Sequence, residues 1–417
     1  MSPHRGGRPQ KGRDMPVIQY AGADIGRGEI IAFDSGAIRL LGHLESIPSM
    51  TSVRPVRLPR ALWRRFPPKS AAVRAQFIRP SGVRISLTTA ATSIVMRVRC
   101  TRMRLPQVDA ERNGFSLCVD HEEIAFVPSP IDAYEVIDAT GTTSCERIER
   151  EFSEVRFDNL PPRIKNVEIW LPQMMIVDLF DMTADATFDA PAPSSRPVWV
   201  HYGSSISHGG NAERPTQTMP AVAARDAGLQ LVNLGVAGQC HIDPFVASAI
   251  ADIRPELISL ELGVNVVGSR SLDQRSFAPA VHGFIDTVRA ANPDVPILVI
   301  TPLLWRGNET QAGPGDVAVG DDGVRFFLRG TEEDVQAGAL SMQEARDQLR
   351  DVVSVRQQAG EPTELISGLE LYGEEDAASW PFADSLHPDS DQSVRIGLRL
   401  ARSLARTVSQ AGLLGTQ

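Results

Sequence analysis

The sequence has no long apolar run and no surplus of positive charge. Uninterrupted apolar stretches fall short of the about 18 residues that a transmembrane helix needs, so we expect no membrane-spanning segment. The 42 lysine and arginine residues are outnumbered by 51 aspartate and glutamate residues, and the net charge of -9 argues against a nucleic-acid partner. Charged residues make up 22% and hydrophobic residues 42% of the 417 residues, as in an ordinary globular protein of two domains.

Cysteines are few and widely spaced. The sequence has Cys100, Cys118, Cys145 and Cys240, with no C-x-x-C pair of the kind that binds zinc. The first residues are basic and rich in Gly and Pro, but they lack the apolar core of a secretory signal. We therefore expect a cytoplasmic protein with free thiols and no metal or other cofactor, and a disordered extension over residues 1–15.

Residues 16–190 have the pattern of an all-β domain. Short runs of β-forming residues recur between turn residues, and several alternate apolar with polar side chains, as in Val83–Leu87. A period of two predicts strands with one buried and one solvated face, so we expect a β-sandwich of the jelly-roll type. The predicted strands are Glu29–Ala32, Ile38–Leu41, Val73–Phe77, Val83–Leu87, Ser93–Val98, Phe115–Val119, Glu122–Phe126, Lys165–Trp170 and Met175–Phe180.

The pattern changes after residues 191–197, whose Pro and small residues predict a linker. From 198 to 417 apolar strands alternate with helical stretches, which predicts a parallel sheet between helices, a three-layer α/β/α domain. The predicted strands are Val198–Tyr202, Gln230–Asn233, Leu257–Leu262, Ile297–Thr301 and Glu364–Gly368. The predicted helices are Thr218–Ala227, Pro244–Ala251, Ser276–Ala291, Ser341–Gln358 and Asp391–Ser409.

Residues 303–335 interrupt this alternation. They contain six glycines, many acidic residues and one apolar patch, Val324–Leu328. A long insertion after the carboxyl end of a strand is usually functional or disordered. A lid over the site and an oligomer contact are equally good interpretations of it.

Small or polar residues follow several predicted strands and precede the last helix. In an open parallel sheet these positions meet at the carboxyl edge, where active sites lie. The hydroxyl of Ser205 needs a base within hydrogen-bond reach, and His387 can take its proton while Asp384 orients the imidazole. Backbone N–H groups of Ser205 and Gly238 and the side-chain amide of Asn265 can then surround the oxyanion.

These residues lie in four blocks that resemble those of the SGNH (GDSL-like) hydrolase superfamily. Gly203–Ile206 resembles the block of the nucleophile, which assigns that role to Ser205. Gly238 matches the glycine of the second block, and Gly263–Val266 resembles the block whose asparagine binds the oxyanion. Asp384 and His387 match the Asp-x-x-His block.

The resemblance covers residues 197–409 and departs from the family pattern twice. Ser204 stands where Asp is usual before the nucleophile, and Val266 stands where Asp usually follows the asparagine. The first departure resembles two-domain carbohydrate O-acetylesterases with an N-terminal β-sandwich. The resemblance implies a metal-free serine ester hydrolase that acts on short acyl groups, above all acetyl, of a carbohydrate or small metabolite.

Two other functions remain open. An acyltransferase would use the same triad with an alcohol in place of water, and a carbohydrate-binding protein would retain the fold with an inactive site. The β-domain has three candidate roles, namely glycan binding, a wall of the site, and dimerisation, so the oligomeric state also stays open. Polar and aromatic residues near the blocks, and one tryptophan of the insertion, are further candidates for the substrate pocket: Ser204, His208, His241, Trp380 and, in the insertion, Trp305.

Overall fold

The computed structural model describes Phe33 and residues 36–68, 71–104, 113–137, 143–147, 150–320 and 323–413. The predicted extension over residues 1–15 and the predicted strand Glu29–Ala32 lie outside these residues. Cys100, Cys118 and Cys240 are buried free thiols.

The N-terminal half is a β-sandwich. Its strands are β1 (Arg39–Leu41), β2 (Glu45–Pro48), β3 (Val53–Val56), β4 (Arg84–Thr89), β5 (Ile94–Arg104), β6 (Gly114–Val119), β7 (Glu122–Pro128), β8 (Ala133–Ile137), β9 (Thr143–Arg147), β10 (Ser153–Phe157), β11 (Lys165–Trp170), β12 (Met175–Ala184) and β13 (Phe188–Asp189). One sheet has the order β1-β4-β11-β6-β7 with β13 beside β4, and the other has the order β2-β3-β12-β5-β8-β9 with β10 beside β5. Alternate residues of both sheets, such as Ile85, Val98, Val167 and Val177, share one buried core.

The prediction of a strand over Val73–Phe77 is wrong, because this segment belongs to helix α1 (Ala71–Ile78). Alanine, arginine and glutamine favour the helix, and a spacing of four residues places Val73 and Phe77 on the same helical face. Both are buried in a core of the C-terminal half, where the Phe77 ring lies 6.3 Å from the ring of Phe245. The period-two interpretation failed because the partner of this face lies in the other half of the chain.

The C-terminal half contains strands that alternate with helices, as the sequence predicts. The strands are β14 (Val198–Tyr202), β15 (Gln230–Asn233), β16 (Leu257–Glu261), β17 (Ile297–Ile300), β18 (Gly315–Gly320), β19 (Gly323–Leu328) and β20 (Thr363–Ile366). The helices are α2 (Ser205–His208), α3 (Met219–Asp226), α4 (Pro244–Ile253), α5 (Val264–Ser269), α6 (Phe277–Arg289), α7 (Glu332–Gln336), α8 (Met342–Gln358), α9 (Gly368–Leu371), α10 (Glu374–Ser379) and α11 (Ser390–Gln410). Short 3₁₀ helices span Arg60–Arg65 and Pro215–Gln217.

A five-stranded parallel sheet of order β15-β14-β16-β17-β20 forms the middle layer. Trp199 and Leu257 pack on the face covered by α3 and α11, whereas Val200 and Ile258 pack on the face covered by α4, α6 and α8. Both faces of the strands are therefore buried, which explains their continuous apolar sequences. The predicted three-layer α/β/α architecture is confirmed. β18 and β19 form a separate antiparallel hairpin within the insertion.

The two halves are joined beneath the carboxyl edge of this sheet. Arg57, just after β3, is fully buried, and its guanidinium donates to the carbonyl oxygens of Arg79 at 2.6 Å and of Asn233 and Gly235 at 2.8 Å each. Burial, with a smaller contribution from the charge of Arg79, lowers the pKa of Arg57 to about 9. The sandwich thereby fixes the loop after β15, which carries Gly238.

Candidate active site

The nucleophile candidate Ser205 is the first residue of α2, directly after the loop that follows β14. Ser204 precedes the helix as its N-cap, and its hydroxyl accepts a hydrogen bond from the N–H of Ile206 at 3.2 Å. The N–H of Ser204 donates to Oε2 of Glu261 at 2.7 Å. This cap and this carboxyl group hold the turn so that Ser205 remains partly exposed at the sheet edge.

Ser205 lies in a hydrogen-bonded line with His387 and Asp384. The Ser205 hydroxyl oxygen is 2.8 Å from Nε2 of His387, although the two residues are 182 positions apart in the chain. Nδ1 of His387 is 2.7 Å from Oδ2 of Asp384. Since a carboxylate accepts the proton of Nδ1, Nε2 is left to accept from Ser205. Each of the side chains of His387 and Asp384 is 16% exposed, so the line is open at one side.

The local turn at Asp384 determines where its carboxylate points. Oδ1 accepts from the backbone N–H groups of Leu386 at 2.9 Å and His387 at 2.7 Å, and Asn211 donates to Oδ2 at 3.4 Å. Ser385 adopts a left-handed conformation with φ of 71°, a strain that recurs at functional sites. Burial alone would raise the pKa of Asp384, but hydrogen bonds and the charge of His387 outweigh it and lower the pKa. Asp384 is therefore ionised at neutral pH.

The two remaining oxyanion candidates lie on connected segments. Oδ1 of Asn265 accepts from the N–H of Cys240 at 3.0 Å, so the side-chain NH₂ of Asn265 stays available as a donor. At the other end of this loop the N–H of Val236 donates to the carbonyl of Gly203 at 2.9 Å. Gly238 lies between these two bonds, is exposed, and has a φ of 67° that favours glycine. A Cβ at Gly238 would meet no atom within 4 Å, so space is open in front of it.

A second polar array lies below the nucleophile turn, and sequence reasoning missed it. Oε2 of Glu261 accepts from Ser207 Oγ at 3.0 Å, and Nε2 of His201 lies 2.7 Å from the same Oγ. Nδ1 of His201 is 2.7 Å from the hydroxyl of Ser259. All four residues are fully buried. A signal was present in the sequence, because these polar residues interrupt strands and a turn that are otherwise apolar.

The insertion contacts the triad through Phe326, which sequence reasoning had placed only in an apolar patch. The ring centroids of Phe326 and His387 are 4.9 Å apart with the planes nearly perpendicular, at 85°. The N–H of Phe326 donates to the carbonyl oxygen of Asp384 at 2.9 Å. The hairpin is therefore part of the site's surroundings.

Two predicted pocket residues, Ser204 and His208, require correction because both are fully buried. Ser204 serves as the helix cap. The ring nitrogens of His208 lie 3.1 Å and 2.9 Å from the carbonyl oxygens of Gly235 and Gln173. Burial, then the charges of Arg57 and Arg79, lower the pKa of His208 well below its ordinary value, so it is a neutral residue that joins the two halves.

The other three pocket candidates differ in exposure. Trp305 is only 3% exposed and belongs to the core, which corrects the prediction that it lines the pocket. Trp380 is partly exposed and packs edge-on against Tyr372, with ring centroids 5.0 Å apart. His241 is partly exposed, and its Nδ1 lies 3.0 Å from the hydroxyl of Ser271. Trp380 and His241 therefore stay predictions as pocket residues.

Among the residues that the structure describes, no three His, Cys, Asp or Glu side chains are grouped so that they could hold a metal ion. Nor does any helix among the same residues have both the length and the apolar character required to cross a bilayer.

The comparisons with known proteins agree with this geometry. The family model described as GDSL-like Lipase/Acylhydrolase matches residues 196–306. Among solved structures, a salicylyl-acyltransferase from a tetracycline biosynthetic pathway matches with a TM-score of 0.75 at 22% identity, covering 94% of this chain and 100% of that one. No curated protein sequence matches the chain.

Two carbohydrate esterases share the two-part architecture. An acetyl xylan esterase from the rumen bacterium Butyrivibrio proteoclasticus matches with a TM-score of 0.53 at 11% identity, covering 93% of this chain and 100% of that one. A family two carbohydrate esterase from Cellvibrio japonicus matches with a TM-score of 0.54 at 14% identity, covering 92% and 98%. At these identities the likeness establishes the fold of both halves.

Proposed function

We propose that the protein is a serine esterase in which Ser205, His387 and Asp384 act as the catalytic triad, since the family model described as GDSL-like Lipase/Acylhydrolase matches residues 196–306. The observation that carries the proposal is the line of two short hydrogen bonds, 2.8 Å and 2.7 Å long, from Ser205 through His387 to Asp384. It lies at the carboxyl edge of a parallel sheet, where such folds place their active sites.

The hydrogen-bonded line from Ser205 through His387 to Asp384 supports acylation followed by deacylation. Nε2 of His387 takes the proton of Ser205 while Oγ attacks the ester carbonyl carbon. The N–H groups of Ser205 and Gly238 and the amide of Asn265 hold the resulting oxyanion. His387 then gives the proton to the leaving alkoxide, and an acyl-Ser205 intermediate remains. Water, deprotonated by His387, attacks this intermediate, and His387 then returns the proton to Ser205 Oγ as the carboxylic acid leaves.

The proposed substrates are esters of short acyl groups, acetyl first, on a carbohydrate or a small metabolite. Support comes from the acetyl xylan esterase and the family two carbohydrate esterase that share both halves of the fold. An acyltransferase is the second candidate. It is favoured by the salicylyl-acyltransferase, whose whole length matches this chain with a TM-score of 0.75. In that case an acceptor alcohol replaces water in the second half of the reaction.

The test compares Ser205→Ala with Ser354→Ala, the same substitution at an exposed serine of α8. We expect Ser205→Ala to abolish hydrolysis of p-nitrophenyl acetate and labelling by a fluorophosphonate, and Ser354→Ala to keep both. Unchanged turnover in Ser205→Ala would overturn the assignment. A wild-type protein that neither hydrolyses esters nor reacts with the probe would instead indicate an inactive binding protein.

Product analysis separates the two enzyme activities. The wild-type protein is incubated with an acetyl ester in the presence and absence of candidate alcohols. Free acetic acid as the main product at every alcohol concentration indicates a hydrolase. A new ester that replaces acetic acid indicates an acyltransferase.

A further inference from the structure

The hairpin of the insertion presents one face that is apolar throughout. Val317 pairs with Phe326 and Val319 pairs with Val324, so their side chains project on the same side of the two strands. We call these four residues the apolar hairpin face. The opposite side is mixed, because Asp316 pairs with Phe327 and Ala318 pairs with Arg325.

The base of the hairpin contacts both sides of the candidate active site. On β19, Phe326 lies against the ring of His387 and its N–H donates to Asp384. At the start of β18, Gly315 packs against Gly268 of α5, the helix that carries Asn265. Leu328, buried in the core, fixes the end of β19. The apolar hairpin face is therefore continuous with the triad at Phe326.

Away from Phe326 the face is exposed to solvent. Val317 is 44% exposed and Val319 is 69% exposed. A two-stranded hairpin buries little of its own surface, and contiguous exposed apolar side chains mark binding surfaces. The apolar hairpin face adjoins His387, so the ligand that binds nearest to this face is the substrate of the triad. We therefore expect the substrate to cover it.

The chemistry of His387 indicates which part of the substrate lies here. A general acid must be within hydrogen-bond reach of the oxygen that it protonates, so the leaving alcohol lies beside the imidazole. The carbonyl oxygen lies toward Gly238 and Asn265, on the oxyanion side. Phe326, in contact with the imidazole, therefore borders the alcohol portion of the ester.

We propose that the apolar hairpin face binds the alcohol portion of the substrate, and that this alcohol is an apolar metabolite such as an aryl or fused-ring alcohol. The inference rests on the proposed function and narrows the alcohol portion of its substrate from a carbohydrate or small metabolite to an apolar small molecule. It holds for either candidate reaction. The same surface receives the leaving alcohol of a hydrolase or the acceptor alcohol of a transferase, since the two occupy the same place at His387 by microscopic reversibility.

The experiment uses two acetate esters that differ in their alcohol, 1-naphthyl acetate and 2-hydroxyethyl acetate. The ratio of their kcat/KM values is measured for the wild-type protein and for the triple variant Val317→Ser/Val319→Ser/Val324→Ser. Comparing the ratios cancels the different intrinsic reactivities of the esters. We expect the preference for the naphthyl ester to fall about tenfold, because apolar contacts to the alcohol are lost.

Phe327→Ser is the matched control, because Phe327 is an exposed apolar residue, 37% exposed, on the opposite side of the same hairpin. Its ratio of kcat/KM values should equal that of the wild type, and fluorophosphonate labelling of Ser205 should proceed in both variants.

An unchanged ratio in the triple variant, or an equal fall in Phe327→Ser, would overturn the inference while the esterase assignment stands. A change of oligomeric state at constant ratio would assign the face to a second copy and also overturn it. Absence of turnover and labelling in the wild type would overturn both proposals.

Discussion

Two arrays of serine, histidine and carboxylate lie on either side of the nucleophile turn, and they differ in what they can do. In the outer array Ser205 donates to His387, whose other nitrogen donates to Asp384. In the inner array Ser207 donates to Glu261, so its oxygen can only accept from His201. The serine hydroxyl therefore donates its hydrogen bond to an imidazole in the outer array and to a carboxyl group in the inner array.

Burial increases the chemical difference between the outer array and the inner array. Desolvation lowers the pKa of His201 to about 3, so this imidazole cannot take a proton near neutral pH. Burial also raises the pKa of Glu261, whose Oε1 is buried without a partner in the described structure, whereas His387 holds the pKa of Asp384 low. Exposure and proton direction, rather than the identity of the residues, make the outer array the candidate for catalysis.

The largest expected difference is between Ser205→Ala and Ser207→Ala. Removing the nucleophile should lower kcat by roughly 10⁴-fold or more. Removing Ser207 should leave kcat within about tenfold, but it should cost about 1–3 kcal/mol of unfolding free energy, because His201 and Glu261 lose their shared partner in a buried site. Steady-state kinetics and urea unfolding of both variants provide the measurements. An equal loss of kcat in the two variants would contradict the distinction.

The carboxyl groups provide the next comparison. Asp384→Asn should lower kcat about 10²–10⁴-fold, because an amide favours the wrong imidazole tautomer. Glu261→Gln keeps an acceptor oxygen for Ser204 and Ser207, so kcat should stay within about tenfold. Both variants are assayed with p-nitrophenyl acetate after their unfolding curves are shown to be cooperative. If Glu261→Gln were the more damaged enzyme, the inner array would have a direct part in the chemistry.

Asn265→Ala tests whether the outer array has its oxyanion site beside it. The loss of one preorganised donor should lower kcat about 10²–10³-fold with little change in KM, because the donor acts on the transition state. Asn265→Gln serves as a control that retains the amide at a different distance. A loss confined to KM would indicate substrate binding instead of oxyanion stabilisation.

The smallest expected effects are on the pH dependence of stability, and they have opposite signs. The pKa of Asp384 is lowered by folding, so its contribution to stability is present above its unfolded pKa, about 3.9, and is lost as the pH falls through the folded value. The pKa of Glu261 is raised, so its contribution is full below about 4.3 and is lost as the pH rises through the folded value.

Urea unfolding at a series of pH values checks this prediction. Asp384→Asn should flatten the loss of stability on the acid side, and Glu261→Gln should flatten the loss on the neutral side. Asp189→Asn, at an exposed position, provides the control and should leave both sides unchanged. Parallel curves for Glu261→Gln and the wild type would mean that Glu261 titrates at its ordinary pKa.

Accuracy of the sequence predictions differed between the two halves for a physical reason. Strands of the parallel sheet are buried on both faces, so their apolar runs predicted Val198–Tyr202 and Gln230–Asn233 with the bounds that the structure has. In the sandwich half, the sequence did not predict β2, β3, β8, β9, β10 and β13, and α1 was taken for a strand. A segment such as α1 depends on a partner that is distant in sequence, which local periodicity cannot reveal.

The sequence by itself determined the parts of the site that form locally. Asp384 and His387 are three residues apart, and a single turn brings the carboxylate to the ring and to two backbone N–H groups. The Gly-Ser-Ser turn likewise follows from a strand that ends where a capped helix begins.

Only the tertiary structure decided which residues face the substrate. Ser205 and His387 meet across 182 positions because β14 and the loop before α11 end at the same edge of the sheet. His208, close to the nucleophile block in sequence, and Trp305 of the insertion are enclosed by packing, whereas Phe326 is brought to His387 by the hairpin. Burial is a property of the whole packed chain, and it is burial that separates the outer array from the inner one.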